Sequence, residues 1–252
     1  MLELVTDLLV DLSSSGARHG AGVFETIRIE EGLARFLRLH LERLGRGTAF
    51  LRMDEPPGVE ETRRFFQEKM DISRIPLGTL RLLAVDDRLV VSAAESIPSP
   101  VERADVATST AIVRLSSSPL NRFKTLSRLE NQLLCREAAD RGLFEVVALN
   151  EQGLLTDCGR TNVFLVARGR VITPAADDGA LPGVARRVLL EEGLAVEAHL
   201  DANDLNHCDA AFLANALRGI IPIGRFGDRA LDTADPAIRA AREALERVSK
   251  AT

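Results

Sequence analysis

The sequence predicts a mixed α/β (α+β) chain of two domains, and three observations carry that expectation. Segments with strand-like alternation and segments with helical spacing succeed one another along most of the chain. Its 252 residues are enough for a large core, as one big domain or two small ones. Pro98-Ser99-Pro100 then breaks any regular structure and is the best linker in the chain. A smaller N-terminal domain, residues 1–97, and a larger C-terminal one, residues 98–252, follow from that boundary.

Taken in order, Val23 to Ile29 alternates, with Phe24, Thr26 and Arg28 on one face and Val23, Glu25, Ile27 and Ile29 on the other, as a strand does. Glu30-Glu31-Gly32 supplies a hairpin turn and Leu33 to Leu37 the returning strand. Gly16, Gly20 and Gly22, ahead of it, permit close backbone approach. Leu39 to Leu51 fits an amphipathic helix in which His40 and Arg43, three apart, share a face. After Pro56-Pro57-Gly58, Val59 to Met70 is a second helix, and Gly78 to Val85 pairs with Leu89 to Ala94 across Asp86-Asp87. Arg81 lies inside the first of these strands as a buried-side arginine, which is either an ion-pair partner or a binder of a substrate carboxylate.

Beyond the linker, Asp105 to Leu115 is a strand and Ser116 to Pro119 a turn. Ser127 and Glu130 form a Ser-x-x-Glu capping box for a helix that carries Leu126, Leu129, Leu133 and Ala138 at helical spacing and stops at Arg141-Gly142. Strands at Phe144 to Leu149, Val163 to Ala167 and Arg170 to Thr173 follow. Pro182-Gly183 opens a helix to Glu192, Ala210 to Leu213 is a strand, and Pro236 to Val248 closes the chain as an amphipathic helix.

The composition, 46% hydrophobic and 27% charged, is that of an ordinary soluble globular protein rather than a disordered or fibrous one. A net charge of −5, with arginines scattered along the chain, leaves no basic footprint for nucleic acid. No apolar run approaches the roughly 20 residues of a membrane span. Met1 to Val10 carries Glu3 and Asp7 and no basic n-region, so a cytoplasmic location is expected. Cys135, Cys158 and Cys208 are odd in number and widely spaced, which argues against a disulfide framework and against paired zinc ligands. Tyr and Trp are both absent, so no phenol is available to any catalytic scheme.

Two residues between Asn121 and Phe164 carry the chemistry. Lys124 stands just ahead of the capping box, so its amine projects from a constrained turn, which suits a Schiff base and equally an ordinary surface lysine. Asp157 stands between two apolar strands, where an unpaired charge would be costly; either it has a cationic partner, such as a protonated pyridine nitrogen, or it is a turn residue. The spacing of these two, the helix and strand between them and the run Asn162-Val163-Phe164, with Phe24-Glu25-Thr26-Ile27-Arg28 and His40-Leu41-Glu42-Arg43-Leu44 upstream, resembles one family. It is the fold-type IV family of pyridoxal phosphate (PLP) enzymes, the class IV aminotransferases and aminodeoxychorismate lyases. The resemblance covers nearly the whole chain, and departs from the family at His19, where an aromatic is common, and at Ala21, where Asp is common.

The resemblance implies two α/β domains of the D-amino acid aminotransferase kind, with the cofactor in the cleft between them, and a homodimer. It implies that Lys124 forms the imine with the cofactor and is then the general base, and that Asp157, where the family normally has Glu, keeps the pyridine nitrogen protonated. Arg43 is implied to reach the cofactor phosphate, a role for which a planar charged fork is suited; apart from the resemblance it reads as an exposed arginine beside a core histidine. The helix start at Gly183, Val184 and Ala185 resembles a second phosphate site, and free amides at a positive dipole end suit an anion, although a plain helix N-terminus reads the same way. The amides of Ala216 and Leu217 complete the implied phosphate cup, and Phe24, Thr26 and Arg81 are implied substrate contacts. The run Lys124 to Glu130 is nearer the lyase pattern, with Ser127 for its usual Asn, and the family's transaminases commonly use tyrosines that this chain lacks. The expected activity is therefore cleavage of 4-amino-4-deoxychorismate to 4-aminobenzoate and pyruvate, in folate biosynthesis. Transamination of branched-chain or D-amino acids is the alternative, and an inactive binding module on the same fold is the non-enzyme one.

Overall fold

The alternation around Phe24 becomes a nine-residue strand that organises the first of two compact units. The computed structural model describes residues 1–6 and 13–251, the last by its backbone alone, so Asp7 to Val10 of the N-terminal stretch lie outside the described residues. One unit comprises Met1–Pro98, Phe123–Arg128 and Ser249–Thr252; the other comprises Ser99–Arg122 and Leu129–Val248. Lys124 thus groups with the first unit.

The first unit runs β1 (Glu3–Val5), α1 (Ser15–His19), β2 (Gly22–Glu30), β3 (Leu33–Ala34), α2 (Leu37–Phe50), α3 (Val59–Phe65), β4 (Leu77–Val85) and β5 (Arg88–Ala94). Among the described residues its sheet has the order β1-β5-β4-β2-β3. Ile27, Ile29, Leu80 and Leu82 on its inner face are buried with Leu41, Leu44 and Phe66. The second predicted helix continues past Phe65 as one π-helical turn, Phe66–Met70.

Two local expectations are corrected here. The returning strand expected over Leu33 to Leu37 ends at Ala34, because Phe36 adopts a left-handed conformation with φ 57° and α2 begins at Leu37. That conformation costs a residue of this kind roughly 1–2 kcal/mol. Complete burial of Phe36 and Leu37 offsets it, at about 1.5–3 kcal/mol for each side chain. The Ser127/Glu130 capping box does not form. The segment Phe123–Arg128 bonds to the start of β2 instead: the Phe24 amide donates to the Lys124 carbonyl (2.9 Å), the Leu126 amide donates to the Gly22 carbonyl (2.9 Å), and Thr125 bridges Val23. With these backbone groups satisfied by β2, the Ser127 hydroxyl donates instead to the His19 carbonyl at 2.8 Å. Gly20 is required at that approach, since its φ is 62° and a Cβ there would lie 2.6 Å from the Ser127 hydroxyl.

The second unit contains β6 (Ala104–Arg114), α4 (Leu129–Asp140), β7 (Glu145–Asn150), β8 (Leu155–Cys158), β9 (Asn162–Ala167), β10 (Arg170–Pro174), α5 (Val184–Glu191), β11 (Ala195–Ala198), α6 (Ala202–His207), β12 (Ala210–Asn215), β13 (Gly219–Phe226), β14 (Arg229–Ala230) and, but for its last residues, α7 (Pro236–Ala251). The sheet runs β11-β10-β9-β12-β13-β6-β7-β8, with β14 against β13. β9 and β12 are buried on both faces, which is why Val163 to Val166 and Ala210 to Leu213 read as continuous apolar runs, with Phe164 stacked on Phe212 at 4.8 Å. Asp157 lies not in a turn between strands but inside one, the short edge strand β8.

The three cysteines are unpaired thiols, and burial raises the pKa of Cys158 well above its ordinary value. Among the described residues no helix is long and apolar enough to cross a membrane, and no group of three or more His, Cys, Asp or Glu is placed to hold a metal ion.

Candidate active site

Because Phe123–Arg128 pairs with β2 rather than forming a turn, Lys124 lies directly beside Phe24. Its Nζ sits 4.3 Å from the centroid of the Phe24 ring, a cation–π contact worth about 0.5–1 kcal/mol at an accessible site. Phe123 stacks on Phe50 at 4.4 Å, so the residue preceding the lysine is held as well. The open face of β2 continues with Thr26, whose neighbour across the sheet is Arg81. Arg81 is exposed, which corrects the expected buried-side placement: Leu80 and Leu82 take the inner face, and alternation turns Arg81 outward. No carboxylate pairs with Arg81 among the described residues.

The inner face of β2 carries one charged residue among Val23, Ile27 and Ile29, and that residue is fully bonded. Glu25 Oε1 accepts from Arg43 Nε (2.8 Å), and Oε2 accepts from Arg43 NH2 (2.6 Å) and meets His40 Nδ1 at 2.6 Å. All three side chains are buried, so Arg43 is not the exposed arginine that its helix alone suggested. Burial would raise the Glu25 pKa, but the charge of Arg43, then that of His40, and their hydrogen bonds bring it down to about 2. Burial lowers the His40 pKa, with the Glu25 carboxylate opposing it. The Glu25 carboxylate can only accept, so His40 Nδ1 carries a proton and donates to it. Its Nε2 is buried without a hydrogen-bond partner among the described residues.

In the second unit, the cation beside Asp157 is Arg114, at the end of β6, with NH2 2.9 Å from Oδ1 and both side chains buried. The contact is ionic without hydrogen-bond alignment: Asp157 Oδ1, Arg114 NH2 and Arg114 Nε have no hydrogen-bond partner among the described residues. Asp157 Oδ2, by contrast, accepts from the Leu181 amide at 3.1 Å. The Leu181 carbonyl accepts from Asn162 Nδ2 at 2.9 Å and from the Gly183 amide at 2.8 Å. Asp157 and the start of α5 are therefore held to each other through Leu181. Gly183 is the N-cap of α5, and a Cβ there would lie 2.1 Å from Asn162 Oδ1, so only glycine fits. Val184, Ala185 and Arg186 open the helix with amides that no carbonyl of the helix can reach. In the loop after β12, Asn215 Oδ1 accepts from the amides of Leu217 (3.1 Å) and Arg218 (2.7 Å), so the Leu217 amide expected for the phosphate cup already has a partner.

A model of the amino-transferase class IV family matches residues 22–226. The chain belongs to this family. It is 27% identical to the D-alanine aminotransferase of Listeria monocytogenes, over 86% of this chain and 82% of that protein. It is also 27% identical to the aminodeoxychorismate lyase of Bacillus subtilis, over 86% of this chain and 81% of that protein. The solved branched-chain aminotransferase of Thermoproteus uzoniensis superposes with a TM-score of 0.85 at 24% identity, covering 97% of this chain and 91% of that one. Class IV aminotransferases are PLP-dependent enzymes, and the fold is that of the fold-type IV members.

The residues present fit the cofactor. Asp157 Oδ1 is a buried acceptor with no hydrogen-bond donor, the condition that a protonated pyridine nitrogen would relieve. The first turn of α5 offers a phosphate the amides that its own carbonyls leave over. Lys124 supplies a primary amine on a constrained segment. Glu25, Arg114 and the tethering role of Asn162 do not stand out in the sequence as site residues. The signal for Glu25 is its charge on an otherwise apolar strand face; for Arg114 it is a charge closing a long strand, 43 residues from the carboxylate it meets.

Proposed function

We propose that this class IV enzyme is an aminodeoxychorismate lyase, which cleaves 4-amino-4-deoxychorismate to 4-aminobenzoate and pyruvate. The observation that carries the lyase over the transaminase is the ring under Lys124: it is Phe24, without a hydroxyl, in a chain with no tyrosine at all. The family's transaminases commonly place tyrosines around the substrate carboxylate, and no residue here can take that part. The run Lys124 to Glu130 and the similarity to the Bacillus subtilis lyase support the same reading.

When bound, PLP supplies the electron sink that stabilises negative charge at the substrate carbon bearing the amine. Lys124 holds the cofactor through its amine and, once displaced by the substrate amine, carries the proton at that carbon. Asp157 keeps the pyridine nitrogen protonated, using the oxygen that Arg114 touches without bonding. Gly183, Val184 and Ala185 at the start of α5, with Ala216, a shared Leu217 amide and the Arg43 guanidinium, hold the phosphate. Phe24, Thr26 and Arg81 line the substrate side, with the Arg81 fork taking a carboxylate. On the same reading the enzyme is a cytoplasmic homodimer of folate biosynthesis.

One observation favours the second reading, transamination of branched-chain or D-amino acids: an exposed Arg81 without a carboxylate partner among the described residues suits the carboxylate of any amino acid. Release of 4-aminobenzoate from aminodeoxychorismate by the PLP-loaded enzyme is the expected result. If D-alanine or a branched-chain amino acid instead discharges the visible absorbance of the bound cofactor, and no aminobenzoate appears, the lyase reading fails and the transaminase stands.

A further inference from the structure

Glu25 and His40 take no part in the chemistry above, yet they place a buried carboxylate and a buried imidazole on the inner face of β2 and on α2, where apolar residues of similar volume are often as stabilising. We propose that Glu25 and His40 are positioning residues for anion binding: they lock the Arg43 guanidinium in one orientation, so that it meets the cofactor phosphate already aligned. The inference rests on Arg43 being a phosphate anchor and goes beyond it to the residues that aim it.

Two features of the cluster carry it. Glu25 receives the guanidinium as a fork, Oε1 from Nε at 2.8 Å and Oε2 from NH2 at 2.6 Å, and two parallel bonds fix the plane of the guanidinium where one would leave it able to swivel. His40 Nδ1, at 2.6 Å from Oε2, then fixes the carboxylate itself, so the plane is set by two elements, β2 and α2. The cluster also lies within electrostatic range of Lys124, whose charge is felt at His40. Glu25 neutralises much of the charge of Arg43, so what the pair offers a phosphate is alignment more than net attraction.

The test compares PLP with pyridoxal, which lacks the phosphate, by absorbance titration of the purified protein. E25Q should weaken PLP binding by about tenfold or more while leaving pyridoxal binding unchanged. Adding E25Q to R43Q should then cost no further PLP affinity, because the two act through one guanidinium. At His40, H40L should weaken PLP selectively, and H40N should restore it, because the asparagine amide can still donate to Glu25. The His40 pair keeps Glu25 and Arg43 intact and carries the test if E25Q does not fold. Equal losses for PLP and pyridoxal would overturn the proposal, as would an E25Q or H40L variant that binds PLP as the wild type does while R43Q does not. If R43Q itself discriminates against PLP no more than the wild type, the anchoring role of Arg43 falls and the positioning role falls with it.

Discussion

Glu25–Arg43 in one unit of this enzyme and Asp157–Arg114 in the other are ion pairs with both side chains buried, and the two are built differently. In Glu25–Arg43 both carboxylate oxygens accept aligned hydrogen bonds and His40 adds a third contact. In Asp157–Arg114 the charges approach to 2.9 Å, but Oδ1, NH2 and Nε are left without hydrogen-bond partners among the described residues. A buried pair that is fully bonded is a finished piece of scaffold, whereas an unsatisfied one is costly and persists where a further partner completes it. On that difference Glu25 belongs to the support of the site and Asp157 to its chemistry.

The strongest way to break the comparison is to remove the amine that both sides are proposed to serve. Lys124→Ala should lose turnover by about 10³-fold or more, the scale of a lost general base and covalent attachment point. Borohydride, which should fix PLP on Lys124 in the wild type, should leave the variant unlabelled by peptide mapping. Next in size is Asp157→Asn. Its amide oxygen can still accept from Leu181, but the buried Arg114 guanidinium loses its nearest counter-charge, so the melting temperature should fall, while the single-turnover rate of the folded, PLP-loaded variant should fall by roughly 10²–10³-fold, as when a preorganised electrostatic partner is removed.

Glu25 should answer in stability against pH. Its pKa is about 2 in the folded state against an ordinary value of 4.5, so the unfolded chain takes up the proton at the higher pH. The stabilisation is present in full above about pH 4.5 and is lost as pH falls through about 2, amounting to roughly 3 kcal/mol. Urea unfolding of wild type and Glu25→Gln should give curves that differ most near neutral pH and converge on acidification; parallel curves would remove Glu25 from the charge cluster.

The same contrast shows what the sequence could and could not carry. β2, β4 and β5 are written in period-2 alternation, and β9 and β12 in apolar runs, because their surroundings are one-sided or fully buried. Alternation also holds the correction to Arg81: Leu80 and Leu82 inside put it outside. Local reading fails where a distant segment overrides it. Ser127 and Glu130 have the spacing of a capping box, but residues about 100 positions upstream on β2 claim that backbone, and α4 starts only at Leu129. Phe36 reads as part of a strand because nothing in its neighbours announces a left-handed phenylalanine; burial of its ring decides it. Asp157 is legible as a charge in need of a partner, but Arg114 becomes visible only when β6, β7 and β8 are laid side by side.

The most direct test of Asp157 as the unfinished half of its pair is the pyridine nitrogen itself. With PLP labelled with ¹⁵N in the ring and bound to the wild-type enzyme, the nitrogen resonance should show a protonated pyridine that persists across neutral pH, and in Asp157→Asn it should move to the unprotonated position. The same protonated signal in both proteins would mean that Asp157 is a structural partner of Arg114 and Leu181 alone, with no part in the chemistry.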